Sequence, residues 1–177
     1  GVTTYKIDGI AGGVVSIADS ADLAAIELSN IASGAFSITY AAPTGGTSPV
    51  AGTADTLNLS VQGLGSATAD VSVTAAGVET VAITSNAAAT AAGSINYMDL
   101  SGASSSTDIT ISGAADTDIA AVASTFDTLD ASASTGSITA NLSGAGGTSA
   151  GDIQSIKTGS GTDSVTVVTT DLDVVGT

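Results

Sequence analysis

The residues best suited to chemistry are acidic side chains set among glycines near the C-terminal end of the sequence. Gly159, Gly161 and Asp163 fall within residues 158–166, which read TGSGTDSVT. Glycines permit a tight turn and a close approach of the backbone, so that carbonyl oxygens can face a cation. Asp163 adds a carboxylate, and calcium takes about six to eight such oxygen ligands. The stretch therefore predicts a calcium site, with an ordinary glycine turn closed by an aspartate as the alternative.

A second acidic group gives the same type of ligand. Asp116 and Asp118 form an Asp-x-Asp pair, and Asp127 and Asp130 follow within a short distance in sequence. Such a pair in a loop is a common cation-binding arrangement, although it is equally common as a cap or a solvated corner. The chain has 17 acidic residues against 2 basic ones, for a net charge of −15. Divalent cations would relieve the resulting repulsion, so we expect calcium as the cofactor.

The same composition excludes several classes of function. Two lysines without an arginine cannot neutralise nucleic-acid phosphate or bind an anionic membrane surface. The absence of His and Cys rules out zinc, haem and iron–sulfur sites and any imidazole-dependent nucleophile. Lys6 and Lys157 are the only bases that a carbohydrate-active enzyme could use, and neither lies in a catalytic context. No apolar run approaches the length of a membrane span. We therefore expect a protein that is not an enzyme, does not enter the membrane and binds no nucleic acid.

The elements that position these residues are short strands. Apolar residues alternate with Ser, Thr, Asn or Asp in most runs, which is the two-residue period of a strand with one buried face. The predicted strands are 14–17, 25–28, 36–40, 56–61, 70–74, 80–84, 95–100, 108–112, 126–131, 137–142, 153–157, 164–168 and 172–175. One segment, 119–129, also has the apolar spacing of a short helix, with a loop that leads into the strand at Phe126 as the alternative.

The spacing of the strands is typical of a sandwich, a barrel or a solenoid. Aromatic residues make up only 3 % of the chain. A sandwich usually fills its middle with large side chains, whereas a narrow coil can be filled by Val, Ile, Leu and Ala. The sequence favours an all-β parallel β-solenoid (β-helix), with an antiparallel β-sandwich as the alternative. We divide it into an N-terminal β element at 1–42, a loop at 43–55 and solenoid rungs at 56–177, as one continuous domain or as part of a longer chain.

Three phrases in succession carry a family resemblance. They read GVETVAIT at 77–84, FDTLDAS followed by GSITANLSG within 126–144, and IQSIKTGSGTDSVTV at 153–167. The succession resembles the Ala/Thr/Gly-rich surface-layer (S-layer) proteins of Gram-negative bacteria, which are exported by type I secretion and related to RTX proteins. The resemblance covers most of residues 52–177.

The RTX nonapeptide G-G-x-G-x-D-x-U-x, where U is a large apolar residue, is the most specific part of this resemblance. Gly159, Gly161, Asp163 and Val165 match it, while Thr158 stands where the first glycine belongs. The sequence holds one clear copy, although an RTX site takes ligands from two stacked turns. The next turn, at residues 171–173, departs from the pattern.

The resemblance implies a secreted, calcium-dependent β-solenoid that self-assembles as a homo-oligomer into a two-dimensional coat on the bacterial cell surface. It also implies an extracellular location. The alternative is a stalk or repeat segment of an RTX-type adhesin, or an extracellular filament, since the open end of a solenoid presents unpaired strand edges. A cell-surface polysaccharide is a further candidate partner.

Overall fold

The structure, a computed structural model, describes residues 1–88, 94–145 and 155–167. In these residues the chain is entirely β, with two seven-stranded parallel sheets that stack as a solenoid of about six turns. No apolar helix of membrane-spanning length occurs in the described part of the chain. The predicted parallel β-solenoid is confirmed, and the antiparallel sandwich is wrong because neighbouring strands run in the same direction. The predicted strand at 172–175 and the start of the one at 153–157 lie outside the described residues.

Successive strands alternate between the two sheets. Sheet A holds β1 (Thr4–Asp8), β3 (Ala25–Ile31), β5 (Thr56–Leu64), β7 (Thr80–Asn86), β9 (Asp108–Gly113), β11 (Thr128–Ser134) and β13 (Ser155–Lys157). Sheet B holds β2 (Ala11–Ser20), β4 (Ser33–Tyr40), β6 (Val71–Ala75), β8 (Ile95–Gly102), β10 (Asp116–Val122), β12 (Ile138–Asn141) and β14 (Ser164–Thr166). Each coil therefore has an A-to-B corner, where the chain leaves sheet A, and a B-to-A corner, where it returns.

The core is a set of aliphatic columns that run along the axis of the stack. One column pairs Leu57, Val81, Ile109 and Leu129 in register on consecutive strands of sheet A, and all four side chains are buried. The outward residues between them are polar or small, which is the alternation that the sequence shows. Medium-sized aliphatic chains fill the narrow space between the sheets, and their burial is the main stabilising contribution to the stack.

The segment with helical spacing forms a strand and a corner instead. Ile119 and Val122 are both buried in β10, because a bulge between Ile119 and Ala121 shifts the register and returns the inner face after three residues. Phe126 fills the following corner and Leu129 lies in β11. The predicted helix is therefore wrong, and the spacing that suggested it comes from a bulge followed by a corner.

The stack continues across residues 43–55. On either side of this segment β3 pairs with β5 and β4 pairs with β6, both in parallel. Residues 1–42 contribute β1 to β4, and the segment itself makes local turns, with Val50 packed against the core. It is thus an excursion at a B-to-A corner between two coils that touch each other directly.

Candidate metal centre and the two corners of the coil

The predicted glycine turn lies at the A-to-B corner between β13 and β14. A Cβ atom on Gly159 would overlap the carbonyl oxygen of Ser134, and one on Gly161 would lie 2.6 Å from the carbonyl oxygen of Gly136. Both glycines therefore allow this corner to rest directly on the backbone of the coil before it. Their place in the sequence is explained by stacking, whether or not an ion binds beside them.

Earlier A-to-B corners make the same contact. A Cβ on Gly113 would overlap the carbonyl oxygen of Ser85, and one on Gly136 would overlap that of Ala115. The corner carbonyls accept hydrogen bonds from the adjacent coil: Ala115 N–H donates to Ser85 at 3.2 Å, and Thr135 N–H donates to Gly113 at 2.8 Å. These carbonyl groups thus point along the stack toward amides rather than toward a shared cavity.

Two of the predicted ligands bond to the start of β12 at this corner, one from each side of the strand. Asp116 accepts a hydrogen bond on Oδ1 from the N–H of Ser137 at 2.7 Å, and Asp163 accepts one on Oδ1 from the N–H of Ile138 at 2.9 Å. The Ser137 hydroxyl in turn accepts a hydrogen bond from the N–H of Thr162 at 3.2 Å. Asp116 belongs to the coil before β12 and Asp163 to the coil after it, so the two carboxylates bracket the start of that strand.

The donor set around Ser137 fits calcium in type but is incomplete in number. Two carboxylates and a hydroxyl supply only hard oxygens, which calcium prefers. One oxygen of each carboxylate already accepts a backbone N–H. Among the residues that the structure describes, no group of three or more acidic side chains is arranged to hold a metal ion. A bound calcium would therefore need further oxygens from water or from a neighbouring molecule.

Asp118 lies on the same outer face of sheet B as Asp116, because the buried Thr117 separates them on the strand. It pairs in register with Tyr97 on β8. Partial burial raises the pKa of the Asp118 carboxyl above its ordinary value, and the nearby charge of Asp70 raises it further. Asp118 thus belongs to a small acidic patch with an aromatic ring beside it.

Asp127 and Asp130 lie elsewhere. Asp127 is at the B-to-A corner, where burial and then the charge of Asp108 raise its pKa. Asp130 is on the outer face of sheet A, where it accepts hydrogen bonds from the Ser132 hydroxyl at 2.5 Å and from Lys157 at 3.4 Å. These contacts, those of Ser132 first, lower the pKa of Asp130. The structure therefore does not bring these two residues together with Asp116 and Asp118.

The sequence analysis did not predict an acidic column along the B-to-A corner, which consists of Asp55, Glu79, Asp108 and Asp127. Asp55, Glu79 and Asp127 each precede the first residue of a sheet A strand, and Asp108 begins one. The Asp55 N–H donates to Glu79 Oε2 at 2.8 Å, and Thr107 N–H donates to the Glu79 carbonyl at 2.8 Å. The available signal was an acidic residue followed by threonine at the start of three strands.

Both lysines form exposed ion pairs on sheet A. Lys6 Nζ lies 2.7 Å from Glu27 Oε2, and Lys157 Nζ lies 3.4 Å from Asp130 Oδ2. Around them the outer face of sheet A carries short polar side chains, including Ser60, Thr84 and Ser112 in register, which line a shallow depression. Exposed pairs of this kind contribute little to stability.

No family model, curated protein or solved structure matches this chain. Its function is therefore argued from the residues and from their arrangement in the stack.

Proposed function

We propose that this chain is a structural, non-catalytic subunit of a secreted bacterial surface layer, which self-assembles on the outside of the cell through a calcium-stabilised β-solenoid. The observation that supports it most directly is the placement of carboxylates at both corners. Asp116 and Asp163 bracket β12 at one corner. The acidic column runs along the other corner. The resemblance noted in the sequence supplies the biological setting of the proposal.

The electrostatic argument follows from the stacking. Coils in a parallel sheet repeat about every 4.8 Å, so Asp55 and Glu79, which are level on neighbouring coils, are held close to each other, and the charge of Asp108 acts on Asp127. The chain offers 2 lysines against 17 acidic residues, and both lysines are already paired on sheet A. Calcium that binds the folded stack and not the unfolded chain would stabilise the fold by mass action.

The faces of the stack suit a packed coat. Their outward side chains are mostly Ser, Thr, Asn and Ala, which allow neighbouring molecules to approach closely. Stacked coils also form a stiff rod, since each coil bonds to the next through both sheets. The second candidate, a stalk or filament segment of an RTX-type adhesin, is favoured by the continuous parallel pairing of seven strands in each sheet, which suits a stiff spacer. In either role the partner is another copy of this chain, in a lattice or in a filament, with a cell-surface polysaccharide as a candidate anchor.

The proposal is tested by thermal unfolding and electron microscopy in calcium, in magnesium and in EGTA. We expect calcium well above its dissociation constant to raise the melting temperature by about 10 °C relative to EGTA. Magnesium should have a smaller effect, because it dehydrates reluctantly and demands a stricter geometry. Ordered sheets or arrays should form only with calcium. A chain whose stability and association are unchanged by chelation would refute the proposal.

Substitutions of the carboxylates then identify the corner at which the ion binds. Asn keeps an oxygen that can accept the N–H groups of Ser137 and Ile138, so the double variant D116N/D163N removes charge while it preserves the hydrogen bonds. We expect it to lose the calcium-induced rise in melting temperature if the ion binds at the A-to-B corner. D130N on sheet A is the matched control and should keep the full rise. The triple variant D55N/E79Q/D127N tests the acidic column in the same way.

A further inference from the structure

The outer face of sheet A holds both basic residues of the chain. The sequence contains 2 such residues, and Lys6 on β1 and Lys157 on β13 both point outward from this sheet. The outer face of sheet B therefore carries carboxylates such as Asp99 and Asp118 without any basic side chain beside them. In a chain of net charge −15, sheet A is the face on which a second copy meets the least like-charge repulsion.

Two neighbouring rows of outward side chains run across the strands of this face, each row level from one strand to the next. The rows lie about 6.6 Å apart along the strands, which is the spacing of successive outward positions. One row, the Thr84 row, consists of Lys6, Glu27, Ser60, Thr84 and Ser112. The other, the Thr110 row, consists of Asn58, Ala82, Thr110, Asp130 and Lys157.

A shallow depression lies where the two rows cross β5 and β7. It has a volume of about 160 Å³, and the buried residues Leu59 and Ile83 line its floor with their backbone. The outward side chains around it are short, so ordering them costs little conformational entropy. Most of them carry hydroxyl or amide groups, which both donate and accept hydrogen bonds and so can pair with the same groups on a second copy. The four that surround its centre are Asn58, Ser60, Ala82 and Thr84.

Lys6 and Asp130 lie on opposite sides of this centre and at equal distances from it. β1 and β11 are each two and a half strand spacings, about 12 Å, from the midpoint between β5 and β7. Lys6 lies half a row spacing to one side of the centre, in the Thr84 row, and Asp130 lies the same distance to the other side, in the Thr110 row. A two-fold axis that passes through the centre, in the plane of the face and nearly parallel to the strands, therefore places Lys6 of each copy opposite Asp130 of the other.

Each end of such a pair holds four charges of alternating sign. Within each copy Lys6 Nζ lies 2.7 Å from Glu27 Oε2, and Lys157 Nζ lies 3.4 Å from Asp130 Oδ2. These contacts leave the Lys6 side chain 72 % exposed and that of Asp130 42 % exposed, so each has room for a second partner. Glu27 falls opposite Thr110, whose hydroxyl can donate a hydrogen bond to it. A two-fold axis along the stack would instead set Lys6 level with Lys6 of the other copy, which like-charge repulsion disfavours.

We propose that two copies of this chain associate face to face through the outer surface of sheet A, about a two-fold axis through the depression, with Lys6 of each copy paired to Asp130 of the other. The contact is isologous and closed. From β1 to β11 and across three outward positions it measures about 30 Å by 20 Å, or about 600 Å² per copy. This area is at the lower end for specific contacts, so the dimer is weak and reversible. Its role as one contact of the coat rests on the function proposed above, whereas the contact itself needs no calcium.

Exchange of the charges within each ion pair tests the contact. K6E/E27K and D130K/K157E each preserve the ion pair within one copy and the net charge of the chain, but each sets like charges opposite each other across the dimer. We expect the dimer dissociation constant of either variant to rise at least about 10-fold, measured by sedimentation equilibrium in EGTA well below the melting temperature. An equimolar mixture of the two variants should associate like the wild type, because position 6 of one again meets an opposite charge at position 130 of the other.

The mixture is also the control for folding. Association that is lost in each variant and restored in the mixture shows that both variants keep the structure of sheet A. A chain that is monomeric at all concentrations overturns the proposal. So does a dimer that is indifferent to both exchanges, or a mixture of the two variants that does not associate.

A cysteine test locates the axis. The chain has no cysteine, and the proposed pair sets Asn58 of one copy opposite Thr84 of the other. We expect an equimolar mixture of N58C and T84C to form mixed disulfide dimers under mild oxidation, in excess of the homodimers of either variant. T139C, exposed on the outer face of sheet B, is the matched control and should form few.

Two results of this test overturn the proposal. One is a T139C variant that cross-links as readily as the mixture of N58C and T84C. The other is a monomeric chain in which dextran shields the N58C and T84C thiols from modification, because a neutral polysaccharide would then occupy the face.

The two proposals fail in different ways. A dimer with this charge dependence in EGTA, in a chain that forms no arrays with calcium, refutes the surface-layer function and supports the sheet A contact. Calcium-dependent arrays that K6E/E27K forms as readily as the wild type, with no mixed disulfide between N58C and T84C, refute the sheet A contact and support the function.

Discussion

Both corners of each coil reverse the direction of the chain, but they are built from different residues. At the A-to-B corner, residues 114–115 and 135–137 are enough to link the sheets, and the backbone of one corner touches the backbone of the next. At the B-to-A corner, residues 103–107 and 123–127 link the same coils, and the excursion at 43–55 occurs on this side as well. The acidic column runs along the second corner. Glycines at the first corner allow backbone to stack on backbone, and the carboxylates there, Asp116 and Asp163, bond to backbone N–H groups.

The difference indicates where stability and ion sensitivity originate. Stacking at the A-to-B corner depends on atoms that have no room to move, so substitutions there act through steric overlap. Substitutions in the acidic column of the B-to-A corner act through electrostatics that salt and protons can adjust. Substitutions at the two corners test this difference, beginning with the one expected to destabilise most.

The largest effect is expected for G113A at the A-to-B corner. Gly113 has a φ of 105°, and an added Cβ would overlap the Ser85 carbonyl oxygen. We expect a loss of at least about 3 kcal/mol in the free energy of unfolding, measured by urea denaturation. G45A is the control, since Gly45 also has a positive φ of 76° but no atom lies within 4 Å of its added Cβ. It should cost about 1 kcal/mol. Equal losses would show that stacking at the corner is not tight.

A smaller effect is expected for N96A, beside the same corner. Asn96 is fully buried; its Oδ1 accepts the Leu64 N–H at 3.0 Å, and its Nδ2 donates to Ser85 Oγ at 2.8 Å. Truncation leaves a buried N–H without its acceptor, which should cost about 2 kcal/mol of unfolding free energy. N58A on the exposed face of sheet A should change it by less than about 0.5 kcal/mol. If N96A leaves the free energy of unfolding unchanged, the buried amide of Asn96 contributes nothing to stability.

The smallest effects depend on pH, and the first is expected for D127N in the acidic column. A raised pKa means that the protonated form stabilises the fold below the ordinary value of 3.8, and that this contribution is lost as pH rises through the folded pKa. In EGTA at neutral pH, D127N should therefore melt slightly above the wild type, by less than about 2 °C. The difference should vanish near pH 3, where Asp127 is protonated.

The pKa of Asp8 is shifted in the opposite direction from that of Asp127. Hydrogen bonds from Asn30 and Ser29 lower its pKa, so its contribution is present above the ordinary value and is lost as pH falls through the folded pKa. D8N should accordingly melt below the wild type at neutral pH, and this difference should also disappear in acid. If D127N and D8N shift the melting temperature in the same direction, the local environment of these carboxylates does not determine their effect on stability.

The fold was predictable because alternation is a local property. Runs such as 56–61 and 80–84 show which residues face inward, and the shortage of aromatic residues indicates a slim core. The first strand was missed because TYKID has only two inward residues and two charges. The helix prediction at 119–129 failed because a bulge changes the spacing of the buried residues from two to three at one position. No local sequence pattern indicates this bulge.

The site was less predictable because it depends on register between coils. Asp116 and Asp163 are 47 positions apart, since the pairing of β10 with β12 and of β12 with β14 brings them to one strand. Asp116 and Asp127, only 11 positions apart, are sent to opposite corners by the intervening strand. Carboxylates that are close in sequence are therefore not the ones that share a corner. Which carboxylates share a corner depends on the number of residues in each coil.

The excursion at 43–55 shows that a coil can grow outward without disturbing the hydrogen bonds on either side of it. A foreign peptide placed between Thr44 and Ser48 would then project from one edge of the rod, while β3 and β5 remain paired beneath it. Such a stack is therefore a scaffold on which a guest epitope can be displayed beside paired coils.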